Sequence, residues 1–144
     1  MISFQSITNF RNRLEELVGF KRGVYKCAKE EILAAFKGVD ITEIRTNRDM
    51  ILMQDDAIVI KLRLPDHRQR LSRANGYRLI YMVSMVKERV VFMDIYPKRG
   101  PLQQLDISRE ELLRLLAEYV DEGANGLLVD FEVKWLGVSR LLGY

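Results

Sequence analysis

Residues 61–100 read KLRLPDHRQRLSRANGYRLIYMVSMVKERVVFMDIYPKRG, and this stretch decides the fold. Two runs, Tyr77 to Val86 and Val90 to Tyr96, are apolar at nearly every position and flank Lys87-Glu88-Arg89. That pattern predicts an antiparallel hairpin whose strands are buried on at least part of both faces. Upstream, Ala57 to Leu64 is rich in β-branched residues and predicts a third strand. Pro65 ends it, because proline cannot donate to a sheet ladder. His67 to Asn75 is polar and basic and reads as a loop, and Gly76 opens the next strand.

The same stretch concentrates the charge. Lys61 to Arg99 holds ten Lys and Arg against three acids, a net +7, while residues 1–60 are neutral and residues 100–144 carry −4. The whole chain is only +3. Clustered arginines on a sheet suggest a phosphate-rich partner, with RNA or DNA the first candidate.

Outward from this centre, Ile51-Leu52-Met53 precedes a turn-like Gln54-Asp55-Asp56 and predicts a further strand. Met1 to Ile7 alternates roughly as a short first strand. Thr8 or Asn9 is a candidate N-cap for a helix carrying Phe10, Leu14, Leu17 and Val18. Gly19 to Gly23 interrupts it, and Tyr25 to Phe36 predicts a second helix with Gly38 beyond its end. Asp106 or Ser108 begins a leucine-rich helix signal that Gly123 to Gly126 ends, and Ser108 with Glu111 three residues later matches a capping box. Leu127 to Trp135 alternates enough for one more strand, followed by the apolar Leu136, Leu141, Leu142 and Tyr144. The order gives an α+β fold in which helices pack on a sheet.

At 144 residues and 48% hydrophobic content, one domain with a real core is expected. No apolar run is long enough for a transmembrane helix. The N-terminus lacks the basic-then-apolar layout of a secretory signal. A lone Cys27 cannot form an internal disulfide and fits a reducing compartment, so a cytoplasmic location is expected. One Cys and one His also exclude the usual zinc ligand sets, and no metal or other cofactor is expected.

Three phrases in order resemble the RelE/ParE superfamily of toxins from bacterial type II toxin–antitoxin systems. They are Ile60-Lys61-Leu62-Arg63, Gly76-Tyr77-Arg78-Leu79-Ile80-Tyr81 and Ile95-Tyr96-Pro97-Lys98-Arg99. The likeness is specific over 60–120 and extends in layout over 1–122. It implies an N-terminal strand and two helices packed on an antiparallel RelE-like sheet, followed by a C-terminal helix. Residues 123–144 would form a short extension of the same domain. It further implies a metal-independent endoribonuclease that cuts mRNA, often on the ribosome. The ribose 2′-hydroxyl would attack the adjacent phosphate, and a cognate antitoxin protein would silence the enzyme.

In-line attack builds negative charge on phosphate oxygens. Arginine offers planar, bidentate donors that stay protonated, and one preorganised donor supplies about 10²–10³ in rate. On this resemblance Arg78 and Arg99 stabilise the phosphate. Lys61 is the candidate base and Lys98 the alternate, because like charge nearby favours loss of a lysine's proton. Arg63, Arg68, Arg70, Arg73 and Lys98 would bind the nucleic-acid backbone. The chain departs from the RelE branch in three places. Val59 stands where a lysine is usual, Leu105 where a tyrosine is usual, and His67 to Arg73 looks inserted. The general acid is therefore open, with His67 and Tyr96 as candidates. Simpler readings stand beside these. Arg78 could cap a sheet edge or pair with Glu111, Lys98-Arg99-Gly100 could be a solvated turn, and Tyr77, Tyr81 and Phe92 read as core. A non-catalytic member of the same fold, either a gyrase inhibitor of ParE type or a protein- or nucleic-acid-binding module, is the alternative.

Overall fold

The computed structural model describes residues 2–45, 50–54 and 56–133. It is an α+β fold built on one six-stranded, mostly antiparallel sheet. In chain order come β1 (Ser3–Ser6), α1 (Thr8–Val18), a 3₁₀ turn (Lys21–Gly23), α2 (Ala28–Phe36) and α3 (Ile41–Arg45). They are followed by β2 (Met50–Gln54), β3 (Ala57–Leu64), β4 (Tyr77–Ser84), β5 (Arg89–Pro97), α4 (Arg109–Ala124) and β6 (Val129–Asp130). The sheet order is β2-β3-β4-β5-β1-β6.

The two central strands are buried almost throughout, as their unbroken apolar runs require. One face carries an aromatic core. Phe92 lies 5.2–6.3 Å, centroid to centroid, from Phe10, Phe36, Tyr81 and Phe4, and 5.0 Å from Phe131. Helix α2 supplies Ile32 and Phe36 to this face. Helix α4 lies on the opposite face. Its Leu116, Tyr119 and Val120 stand over Val59 and Met82 across a mainly apolar cleft of about 370 Å³.

Helix α1 has a different task. Strand β1 pairs with β5 only as far as Phe92. Beyond that point α1 side chains meet the open edge: Asn9 donates to the Met93 carbonyl at 2.9 Å and Arg13 Nε to the Ile95 carbonyl at 3.5 Å. A strand edge is thereby covered rather than left as a template for pairing.

Several local expectations are corrected. Strand β1 pairs parallel with β5, so the sheet is not wholly antiparallel. More than 80 residues separate the two strands, so no tight turn dictates their sense. Helix α2 starts at Ala28 because Val24 to Cys27 form a turn that buries Tyr25. Ile7, not Thr8 or Asn9, precedes α1 as its cap residue, with no side-chain cap bond. The α1 N–H groups bond instead to carboxylates of α4: Thr8 N to Glu122 at 3.0 Å and Asn9 N to Glu118 at 2.8 Å. Helix α3 was unforeseen, since five residues carry too little periodicity to read. The last expected strand is reduced to β6, which pairs with Gln5 and Ser6. Trp135 and residues 136–144 lie outside the described residues.

Candidate functional site

One irregularity in β5 decides which side chains share a face. Ile80 pairs with Asp94, but Tyr81 pairs with Phe92, so Met93 is an extra residue in the ladder. Such a bulge shifts the alternation by one. Phe92 points to the aromatic core, yet Asp94 and Tyr96 point to the α4 face. Without the bulge they would lie on the core side.

Two rows therefore cross the α4 face. Arg63 on β3 pairs with Arg78 on β4, which pairs with Tyr96 on β5. Next to it Lys61 pairs with Ile80, which pairs with Asp94. All these positions lie at the sheet end formed by the close of β3, the start of β4 and the close of β5. Lys98 follows directly, its N–H bonded to the Gly76 carbonyl at 2.8 Å.

The two loops at this end are fixed by close contacts. A Cβ on Gly76 would lie 2.0 Å from the Leu64 carbonyl oxygen, so only glycine lets β4 begin there. Gly100 has φ +90°, and a Cβ on it would lie 2.4 Å from the Tyr25 hydroxyl. That hydroxyl donates to the Arg99 carbonyl at 2.8 Å and accepts from Leu102 N at 3.1 Å. Burial raises its pKa, which suits this neutral structural role. The Lys98-Arg99-Gly100 turn is thus pinned to the core.

Lys61 and Lys98 come together. Their ammonium groups reach the same Asp106 carboxylate oxygen, at 3.5 and 3.6 Å. Asp106 is 66% exposed, and chiefly Lys61, then Lys98, holds its carboxyl below the usual range. Asp106 thus stands between the two ammonium groups and pairs with both.

Arg78 is buried, and its guanidinium donates to the carbonyls of Arg73 and Ala74, both at 3.0 Å, and of Tyr77. It holds the loop before β4 and is not placed against Glu111. Arg63, directly opposite, is exposed. Like charges in that relation repel. Arg99 is exposed and donates to the Asn75 side chain at 2.6 Å. Arg73 is exposed on the same loop.

The turn bearing Arg68 and Arg70 is tied elsewhere. Asp66 bridges to Leu71, and the Asp66 carboxylate accepts from Gln69 and from the Tyr77 hydroxyl at 2.7 Å. Burial, then this bond, raises the Tyr77 pKa. His67 bonds to Glu31 of α2, its N–H at 2.6 Å and Nδ1 at 2.9 Å. That anchor lies on the core side of the sheet, so His67 is not grouped with the lysines. Tyr96, the other candidate acid, is on the lysine face. It is buried, its hydroxyl accepts from Ile107 N at 3.2 Å, and burial raises its pKa. Leu105 is exposed.

Three site residues were not singled out from the sequence: Asp106, Asp94 and Arg13. Asp94 and Arg13 pair at 3.3 Å in a polar pocket of about 480 Å³ that Tyr96, Asp106 and Glu111 also line. Desolvation raises the Asp94 pKa despite Arg13. The only available signal was an aspartate inside an apolar strand. Among the described residues no group of three or more His, Cys, Asp or Glu is placed to hold a metal ion. Nor is any described helix long and apolar enough to cross a membrane.

No protein-family model matches the chain, and no curated protein matches it significantly.

Proposed function

We propose that this protein is a metal-independent endoribonuclease toxin of RelE type, cleaving mRNA through 2′-hydroxyl attack on phosphate. It would act in the cytoplasm, on free or ribosome-bound mRNA, and be restrained by a cognate antitoxin whose acidic or helical segment covers the basic end. The observation that carries this reading is the gathering of the three basic phrases at one sheet end. Arg99 and Lys98 adjoin the loop that Arg78 holds, Arg63 pairs with Arg78 across β3 and β4, and Lys61 meets Lys98 at Asp106. In this reading Arg99 and Lys98 contact phosphate and Arg63 the backbone. Tyr96 replaces the missing tyrosine as candidate acid, since it shares the lysine face.

A second reading, a non-catalytic member of the same fold, is favoured by one observation. The Arg78 guanidinium is committed to three backbone carbonyls rather than presented to a ligand. Primer extension on mRNA in the absence of metal, with and without programmed ribosomes, separates the two. Arg99→Ala is the cleaner comparison, because Arg99 is exposed while Arg78→Ala would also loosen the 73–75 loop. Cuts made by the wild type and lost in Arg99→Ala support the ribonuclease. Absence of cuts under all conditions overturns it in favour of binding alone.

A further inference from the structure

We propose that Lys61 and Lys98 form a phosphate-group site that the chain's own Asp106 carboxylate occupies in the free protein, so that a polyanion must displace Asp106 to bind. The identity of that polyanion as RNA rests on the reading above; the site itself does not.

Two ammonium groups, one from β3 and one from the residue that follows β5, converge on one oxygen from either side of β4. That is an arrangement that would hold a phosphate oxygen by charge-assisted bonds. Both lysines are presented rather than free. Lys61 sits in the β3–β4 ladder and Lys98 is fixed by its bond to Gly76, with their side chains 22% and 19% exposed.

The occupant is held quite differently. Asp106 lies on residues 103–108, which form neither helix nor strand. Gln104 N bonds to the Pro97 carbonyl at 3.0 Å and Ile107 N to the Tyr96 hydroxyl, so the segment is anchored on both sides of Asp106. The carboxylate itself faces water. It can leave by side-chain rotation, with no strand moving. Ion pairs this exposed are individually weak, so the contact screens the lysines without locking them. The pocket's other acids, Asp94 and Glu111, have arginine partners of their own in Arg13 and Arg114. Among the described residues, Asp106 alone is shared between the two lysines.

The test is a binding titration of wild type, Asp106→Asn, Glu110→Gln, and Asp106→Asn combined with Lys61→Gln and Lys98→Gln. Two probes are used: pyrophosphate, and a short fluorescent oligouridylate with 2′-O-methyl groups, which cannot be cut by 2′-hydroxyl attack. Asp106→Asn is expected to bind both about two- to fivefold more tightly than wild type. Glu110→Gln, which removes an equal charge from the exposed first turn of α4, should change binding far less. The gain should vanish when the lysines are absent. Equal pyrophosphate affinity of wild type and Asp106→Asn overturns the proposal. So does an equal gain in Glu110→Gln, or a gain that survives loss of the lysines. Tighter pyrophosphate binding with no oligouridylate binding by any variant would keep the site and sink the RNA reading instead.

Discussion

Asp94 is a carboxylate that the fold desolvates, and its energetics run opposite to those of most aspartates. Burial outweighs the Arg13 pair, so its pKa is raised from the ordinary 3.8. The folded state then holds this proton more tightly than the unfolded chain. Its contribution to stability is full below the unfolded pKa and is lost as pH rises through the folded one. Asp94→Asn should remove that loss. The wild-type-minus-variant difference in unfolding free energy, measured by urea titration from pH 3 to 7, should decline with rising pH. A flat or rising difference would contradict the assignment. Glu118 is also raised, chiefly by burial, and contributes a slope of the same sign that the subtraction cancels. Gly76 is the other position where one residue decides a local structure. Gly76→Ala would press a methyl group against the backbone of Leu64 and Pro65, which cannot swing aside. A loss of about 1–3 kcal/mol, or failure to fold, is expected in thermal unfolding.

Among the elements, α1 shows how a helix is started by a partner. Its first N–H groups are satisfied by Glu118 and Glu122, more than a hundred residues away. Helix α4 was legible in its own sequence. The Ser108 hydroxyl accepts from Glu111 N at 3.1 Å, as the spacing predicts, because a cap is a contact within four residues. The α1 cap could not be read, since both its acceptors come from another helix. Glu122→Ala should cost about 0.5–2 kcal/mol in chemical denaturation, the range for lost caps. Ser108→Ala should cost a similar amount. Near-zero cost for Glu122→Ala would show that water replaces the carboxylate. Strand β3 was legible to the residue and β4 and β5 to within two, because Pro65 and Gly76 bound their apolar runs. The hairpin turn, however, is residues 85–88 rather than Lys87–Arg89, since Ser84 pairs with Arg89 and the apolar Met85 and Val86 fall in the turn. The Met93 bulge was not legible. Val90 to Tyr96 is apolar enough that either register would read alike, apart from Asp94.

On the scale of the whole molecule, the sheet separates two functions. One face is an aromatic core centred on Phe92, and Phe92→Ala should cost about 3–5 kcal/mol in unfolding experiments. The other face carries the basic end. If that end binds RNA, the salt dependence should report its charges. Each backbone-contacting residue removed should lower the slope of log affinity against log salt by about 0.7 for a single strand. Arg63→Ala and Lys98→Ala should each show this. Arg68→Ala and Arg70→Ala should not, because their turn is anchored toward α2. Equal slopes for all four variants would place RNA elsewhere.

By itself the sequence determined the fold class, the position of the central strands, the cap of α4 and the concentration of charge between Lys61 and Arg99. These follow from apolar period, turn chemistry and short-range hydrogen bonds, all of which act between near neighbours in the chain. Only the tertiary structure decided the parallel pairing of β1, the acids that start α1 and the inversion of β5 at Met93. It alone joined Lys61 and Lys98 through Asp106 while turning Arg78 inward and carrying His67 to the other face. Each of these depends on groups brought together from distant segments. Their energies exist only once the sheet has set which side chains share a face.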